Sequence, residues 1–176
     1  MPYDRRPDPG EYNAYYDRYV ALVPAGDIIA LLTVQLDDTT ALLRDLSEEQ
    51  ALHAYAPGKW SIKEVLGHMM DAERIFMIRA LRFGRGDATP LPSFDENAYA
   101  PAGAFNARPL ASLMSEFTAV RRATVALLAG LPADAWQRTG IASGYPVSVR
   151  GLAWITAGHE LHHRQILAQR YLVAAG

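Results

Sequence analysis

Three of the five histidines lie within five residues near the C-terminus, in the sequence AGHELHHRQILAQRYL. His159 and His163 are four positions apart, a spacing that places two imidazoles on one face of an α-helix. Imidazole nitrogens are common ligands of divalent transition metals such as Zn²⁺. The pair could therefore supply two ligands of a metal site, and a third ligand would have to come from elsewhere in the chain.

The stretch HELHH also matches the zinc-protease motif H-E-x-x-H, but this match is misleading. Proteases of that class need a third ligand downstream, and the residues after His163, RQILAQRYLVAAG, contain no His, Asp or Glu. Glu160 lies about 100° around the helix from His159, so we expect its side chain to face outward. We therefore set this protease class aside.

The apolar residues of the same helix indicate which histidines point inward. The buried face is defined by Val149, Leu152, Ile155, Ile166 and Leu167. His159 and His163 lie within roughly 20–30° of its centre, whereas His162 lies roughly 80° away, at the rim. Two adjacent buried imidazoles need hydrogen-bond partners or a metal ion. The spacing alone leaves open whether they are metal ligands or hydrogen-bonded core residues.

A third ligand could come from His53 or His68. His53 lies beside Pro57 and Gly58 in a connector, where we expect it to be exposed. His68 lies roughly 100° from the centre of the apolar stripe of its own predicted helix. It can meet the C-terminal pair only if that helix is covered on two sides.

Four amphipathic segments must position these residues, and they predict an all-α four-helix bundle. The first runs from residue 27 to about 46. The second begins at a capping box formed by Ser61 and Glu64 and ends at the glycines of residues 84–86. The third follows Pro109, and the fourth runs from residue 148 to about 173. Residues 141–149 could hold a short extended piece.

A long connection, residues 84–109, joins the second and third predicted helices and contains four prolines. It could be a crossover that travels the length of the bundle, a functional loop, or both. We expect residues 90–99 to line the mouth of a pocket above the histidines.

Length and composition limit the remaining possibilities. The 176 residues suit a single domain, residues 1–176, with residues 1–25 as an N-terminal extension. The absence of cysteine excludes disulfides and thiolate metal sites. A net charge of −2 gives no support for nucleic-acid binding. No segment resembles a signal peptide or a membrane span, so we expect a cytoplasmic protein.

The run APGKWSIKEVLGHMMDAERIF, followed by the distal AGHELHH, resembles the DinB-like superfamily, which includes the YfiT-type metal-dependent hydrolases. The resemblance extends from about residue 28 to residue 172. It implies a four-helix bundle, often homodimeric, that binds one divalent metal ion per chain through three histidines. The matching positions are His68, His159 and His163, and three imidazoles suit Zn²⁺ or Ni²⁺ best.

The resemblance also implies a reaction class. Relatives include transferases and isomerases that use bacillithiol, mycothiol or glutathione, so we expect the metal to activate a water molecule or a low-molecular-weight thiol for attack on a small-molecule substrate. The alternatives are a non-enzymatic, dimerising stress-response bundle that binds metal, and a metal-free bundle with a polar core. Asp71, Glu73 and Arg150 are candidate outer groups around the metal, although simple ion pairs would explain Glu73 and Arg150 equally well.

Overall fold

The protein is described by a computed structural model that covers residues 3–87 and 89–172. Within these residues the chain is mostly α-helical, with one small antiparallel hairpin. The helices are α1 (Asp17–Val20), α2 (Ile28–Leu43), α3 (Glu48–Ala51), α4 (Ile62–Gly84), α5 (Glu96–Ala102), α6 (Leu110–Ala129) and α7 (Val149–Ile166). The strands are β1 (Thr139–Ala142) and β2 (Tyr145–Ser148).

The four long helices form the predicted four-helix bundle. Helix α4 packs against α6 and α7, and α2 packs against the same two helices from the other side. Helices α2 and α4 are therefore diagonal partners, as are α6 and α7. Because α4 touches two neighbouring helices, it is covered on two sides. This is the packing that allows His68 to meet His159 and His163.

Local sequence signals set the starts of these helices. Ser61 and Glu64 form the predicted capping box at the start of α4: the Ser61 hydroxyl accepts from the Glu64 amide, and the Glu64 carboxylate accepts from the Ser61 amide. Asp27 and Ser148 cap α2 and α7 with their side chains. These caps fix where each helix begins and therefore which residues face the core.

The helix ends and the crossover differ from the sequence prediction. Helix α2 ends at Leu43, three residues early, and α7 ends at Ile166 and continues as a π-helical turn, Leu167–Tyr171. The predicted end at residue 173 lies outside the described residues. The crossover is more ordered than a plain loop, because it contains α5 and a short 3-10 turn, Phe105–Ala107.

The predicted extended piece is a two-stranded hairpin. Its turn consists of Ser143 and Gly144, which both have positive φ, 55° and 84°. This is the backbone of a tight hairpin turn, for which Gly at the second position is well suited. Leu91 of the crossover bridges to Ala142, so the hairpin and the crossover lie side by side.

The N-terminal segment packs onto the bundle. Tyr12, Val20 and Val23 are buried in the main hydrophobic cluster, Tyr19 is buried as well, and α1 lies against α7. No helix in the described ranges is long and apolar enough to cross a membrane.

Among the described residues, the core consists of two hydrophobic clusters arranged along the bundle axis. On α4 the boundary between them falls between Met70 and Ala72, and on α7 it falls between Ala157 and Leu167. The three candidate ligand histidines lie at this boundary. The polar site therefore occupies the layer between two apolar halves of the bundle.

Candidate metal centre

His68 from α4 and His159 and His163 from α7 converge on one point. The Nε2 atom of His159 lies 3.0 Å from Nε2 of His68 and 3.1 Å from Nε2 of His163. One candidate ligand nitrogen from each ring lies within 4.8 Å of the other two. The i, i+4 spacing on α7 supplies two of the rings, and the packing of α4 against α7 supplies the third.

The donor set fits a metal ion better than it fits hydrogen bonding among the rings. Nε2 of a neutral imidazole carries either one proton or one lone pair in the ring plane, so His159 Nε2 can satisfy at most one of its two short contacts. Nitrogens that bind one ion at about 2.0–2.1 Å lie roughly 2.9–3.4 Å apart in octahedral or tetrahedral sites. The separations of 3.0 and 3.1 Å fall within that range.

The surroundings favour the neutral form of all three imidazoles. Burial lowers the pKa of His68 to about 4. Burial, with a smaller effect from neighbouring histidines and Arg18, lowers the pKa of His163 to about 3. The same causes lower the pKa of the buried His159 well below its usual 6.5. Because neutral imidazole is the form that binds metals, the site is prepared for a cation at neutral pH.

Two glycines allow neighbouring elements to approach the histidines closely. A Cβ atom on Gly158 would lie 2.2 Å from the Tyr19 carbonyl oxygen, and a Cβ on Gly67 would lie 2.3 Å from the Phe105 ring. The close crossing at Gly158 brings the Tyr19 ring edge-on to His159, with ring centroids 5.4 Å apart. Tyr19 thus covers one side of the site.

The remaining histidines lie outside the cluster. His162 is half-buried at the rim, as its helical position predicts, and its ring centroid is 5.1 Å from that of Tyr19. His53 is exposed, as expected.

The prediction that Glu160 faces outward is wrong. Its side chain is buried: Oε1 accepts a hydrogen bond from the Thr39 hydroxyl at 2.6 Å, and Oε2 lies 2.5 Å from Nη2 of Arg121. A helical wheel places Glu160 outside only if this helix has a single buried face. Residues 149–160 of α7 are all buried because helices and the N-terminal segment surround it.

The three candidate outer groups have partners of their own. Glu73 is buried and forms a two-pronged ion pair with Arg121, at 2.9 and 2.8 Å. Arg150 binds Glu11 near the start of α7. Asp71 is half-buried, its carboxylate lies 3.7 Å from Arg74, and burial raises its pKa. Ion pairing therefore accounts for Glu73 and Arg150, the simpler explanation that the sequence left open.

A pocket of about 150 Å³ opens beside the three histidines. The crossover contributes Phe94 and Glu96, both within the stretch predicted to line its mouth. The rest of the wall is mostly aromatic and is formed by Tyr15, Tyr16, Arg18, Tyr19, Trp60, Ala72 and Phe76. The Trp60 ring lies against His68, with centroids 4.8 Å apart. The histidines thus form one side of a mainly aromatic pocket.

The sequence profile of the DinB superfamily matches residues 31–167, which is most of the chain. The chain belongs to the DinB superfamily. This confirms the resemblance seen in the sequence.

One of three matching chains of solved structures illustrates the fold of this DinB-superfamily protein. It is YfiT from Bacillus subtilis, described as a probable metal-dependent hydrolase with an unusual four-helix bundle topology. The TM-score is 0.69 at 14% sequence identity, and the match covers 94% of this chain and 93% of YfiT. No curated protein matches the sequence.

Sequence reasoning missed the contribution of the N-terminal segment to the site of this DinB-superfamily member. Tyr15, Tyr16, Arg18 and Tyr19 all line the pocket, although residues 1–25 were expected to form an extension. The available signal was the tyrosine-rich stretch EYNAYYDRY. Such a concentration of large aromatic side chains favours a packed segment, because tyrosines contribute large apolar areas when buried.

Proposed function

We propose that the protein is a divalent-metal-dependent enzyme in which His68, His159 and His163 hold the ion, and that it acts as a hydrolase or a thiol S-transferase. The observation that carries this proposal is the convergence of three neutral imidazole nitrogens on one point at the side of a pocket. Three histidine ligands leave coordination positions free, which is typical of catalytic rather than structural sites. The description of YfiT as a probable metal-dependent hydrolase supports the same class.

The bound metal ion, Zn²⁺ or Ni²⁺ by its all-imidazole ligand set, would supply a lowered pKa for a coordinated water or thiol. The residues of the chain would exclude water and accept the proton. Tyr19, Trp60 and Phe76 would exclude bulk water from the pocket. Glu96 is the carboxylate among the described residues that line the pocket, and we assign it the role of accepting the proton of the nucleophile.

Arg18 would act at the mouth of the pocket. Its guanidinium donates to the Tyr19 hydroxyl at 2.9 Å and also to the Tyr15 hydroxyl, and it lies over both tyrosine rings. A cation held in this way favours developing negative charge on a substrate. If a thiol is the nucleophile, it must be brought in by a small molecule, since the chain has no cysteine.

Metal content tests the first part of the proposal. We expect about one metal ion per chain in protein purified without chelators, as measured by inductively coupled plasma mass spectrometry. His159→Ala and His163→Ala should lose the ion, and His162→Ala, the matched control on the same helix, should retain it. Equal loss in all three variants would refute the assignment of ligands.

Enzymatic turnover tests the second part of the proposal, that the protein is a hydrolase or a thiol S-transferase. Metal-loaded protein is assayed with 4-nitrophenyl acetate for hydrolysis, and with 1-chloro-2,4-dinitrobenzene plus bacillithiol, mycothiol or glutathione for thiol transfer. We expect activity in one assay, lost in His159→Ala and reduced about 10²–10⁴-fold in Glu96→Gln, as for loss of a general base. A metal-loaded protein that is inactive in every assay would favour the non-enzymatic metal-binding bundle.

We further propose that the protein is a homodimer, as the family resemblance implies. A groove between α4 and α6, lined by Met77, Ile78, Leu81 and Leu127 among others, offers an apolar face for a second copy, and Ile78 is 51% exposed. Sedimentation velocity should show a dimer that Ile78→Glu dissociates. Val34→Glu, at an equally exposed site on α2, should leave it intact, and a monomeric wild-type protein would refute the proposal.

A further inference from the structure

A second cavity, of about 280 Å³, adjoins the pocket of the three histidines. The two share Tyr15, Tyr16 and Phe76 as lining residues. The Phe76 ring contacts His159 edge-on, with centroids 5.8 Å apart, and Tyr16 edge-on at 6.4 Å. A single layer of aromatic rings therefore separates the second cavity from the histidines.

The second cavity contains one charged side chain among its described lining residues, Arg79. Apolar and aromatic groups such as Phe76, Val147, Leu152 and Ile155 form most of the remaining wall. Arg79 is 3% exposed, so its guanidinium is largely shielded from bulk water.

Arg79 is held by neutral groups. Its Nη2 donates to the Pro92 carbonyl oxygen at 2.7 Å and to the Ser143 hydroxyl at 3.0 Å. The neighbouring Tyr16 hydroxyl also raises the pKa of Arg79, although burial outweighs it. These contacts satisfy hydrogen-bond donors, but they leave the positive charge without a counter-charge.

The other buried cations of the described chain all have carboxylate partners. Lys63 is paired with Glu48, Arg121 with Glu73 and Glu160, and Arg150 with Glu11. Within the described ranges, no carboxylate lies within ion-pair distance of Arg79. Because a buried charge without a partner is costly, the difference indicates that the missing anion comes from a ligand.

The position of Arg79 on α4 sets the size of that ligand. His68 and Arg79 are eleven positions apart, which is about three turns, so they share a helix face and lie about 16 Å apart along the axis. A ligand that reaches both ends must be elongated, with an apolar middle that passes the Tyr16 and Phe76 rings.

We propose that this cavity is a substrate subsite in which Arg79 binds the carboxylate of an elongated organic acid whose apolar body extends toward the three histidines. The inference deepens the proposed function and rests on it for the reacting end of the substrate. The acid-binding end depends on Arg79 alone and can be measured without turnover. Guanidinium groups suit this role because their planar donors match the two oxygens of a carboxylate.

The test compares an acid with its uncharged analogue. Isothermal titration calorimetry of the purified full-length protein measures binding of 3-phenylpropionate and of 3-phenylpropionamide. We expect the acid to bind at least about tenfold more tightly, because a charge-assisted contact to a buried guanidinium is lost with the amide. Equal affinities, or no measurable binding of the acid, would overturn the inference.

Substitutions of Arg79 test whether this residue causes the preference for the acid over the amide. Arg79→Gln should abolish the preference for the acid, and Arg79→Lys should reduce it at least several-fold while keeping a positive charge. Ser143→Ala is the matched control, because it removes a hydrogen bond to Arg79 and leaves the cation in place. It should retain the preference. If circular dichroism shows that Arg79→Gln is unfolded, the Arg79→Lys variant takes its place as the test. An unchanged preference for the acid in Arg79→Lys then counts against the inference.

His159→Ala separates this inference from the proposed metal centre, since a carboxylate could also bind a metal ion directly. We expect His159→Ala to keep the Arg79-dependent preference for the acid. If His159→Ala loses it while Arg79→Gln keeps it, the acid binds at the metal and the inference fails, although the proposed function gains support. If wild-type protein holds no metal but shows the Arg79-dependent preference, the proposed function fails and the subsite remains.

Discussion

Gly158 has a steric role next to a candidate ligand residue. The Tyr19 carbonyl carbon and oxygen lie within 2.4 Å of where its Cβ would be, so the backbone of the N-terminal segment crosses α7 in direct contact. Backbone atoms cannot rotate away as a side-chain tip can. The glycine before His159 therefore permits the crossing that places Tyr19 over the site.

Gly158→Ala should consequently destabilise the protein and disturb the site. We expect a loss of about 1–3 kcal/mol in the free energy of unfolding, as for other overpacked core positions, because the N-terminal segment must move outward. Urea denaturation followed by circular dichroism measures the effect. The control is Gly10→Ala, since a Cβ at Gly10 would meet nothing within 4 Å. A Gly158→Ala protein as stable as wild type would show that the crossing is not tight.

Individual residues also show how far the sequence alone could lead to the site. The spacing of His159 and His163 and their alignment with the apolar stripe identified two inward-facing rings. The third ring, His68, could be named as a candidate, but its meeting with them depends on packing between distant helices. Glu160 was misplaced because a helical wheel assigns one buried face, whereas α7 is enclosed on several sides.

At the scale of elements, the carboxylate of Glu11 links the N-terminal segment to the start of α7 by hydrogen bonds. Glu11 accepts hydrogen bonds from the Ser148 hydroxyl at 2.6 Å and from Nε of Arg150 at 3.1 Å. Burial by itself would raise the pKa of Glu11, but these hydrogen bonds outweigh it and hold the pKa below its usual 4.5. The ionised carboxylate therefore stabilises the contact between the two elements.

The lowered pKa of Glu11 predicts a dependence of stability on pH. Between the usual pKa and the lower folded pKa, the unfolded chain binds more protons than the folded chain, so the contribution of Glu11 is complete above about pH 4.5 and is lost as the pH falls below it. Glu11→Gln should lower stability at pH 7 and flatten the acid dependence. Urea denaturation at several pH values from 3 to 7 measures this, with the exposed Asp37→Asn as control. Parallel pH profiles for wild type and Glu11→Gln would contradict the prediction.

The elements themselves were largely predictable, for identifiable reasons. The Ser61 capping box and the apolar periodicities are local signals, and they located α4 and the other bundle helices. Helix α5 lies in a proline-rich crossover, and Pro101 lies inside it, so composition argued against a helix there. The packing of the N-terminal tyrosines against α7 depends on contacts more than 130 residues away in sequence, such as Glu11 with Arg150, which no local pattern encodes.

At the scale of the whole molecule, one buried network joins all four bundle helices. Arg121 on α6 binds Glu73 on α4 and Glu160 on α7, and its Nη1 donates to the Leu32 carbonyl oxygen on α2 at 3.0 Å. Thr39 of α2 completes the contacts of Glu160. The network crosses the bundle between diagonal helices α6 and α7, so it also fixes the helix that carries His159 next to Glu160.

The charges of this network depend on one another. Burial outweighs the attraction of Arg121 and raises the pKa of Glu160. Burial by itself would lower the pKa of Arg121, but the two carboxylates together outweigh it and raise that pKa. Because two buried acids share one guanidinium, removal of the arginine leaves both without their main partner. A single substitution there affects the contacts of all four helices at once.

Arg121→Leu should therefore be the most destabilising of the substitutions discussed. Breaking a buried ion pair by removing one partner costs about 3–5 kcal/mol, since a leucine restores volume but not charge. Arg122→Leu is a matched control, because Arg122 is the next residue of the same helix and is exposed; surface changes of this kind stay within about 0.5 kcal/mol. Urea denaturation gives both values. If Arg121→Leu were as stable as Arg122→Leu, the two carboxylates would have to be protonated in the folded variant. The triple variant Arg121→Leu, Glu73→Gln and Glu160→Gln would then unfold at the same urea concentration as Arg121→Leu alone.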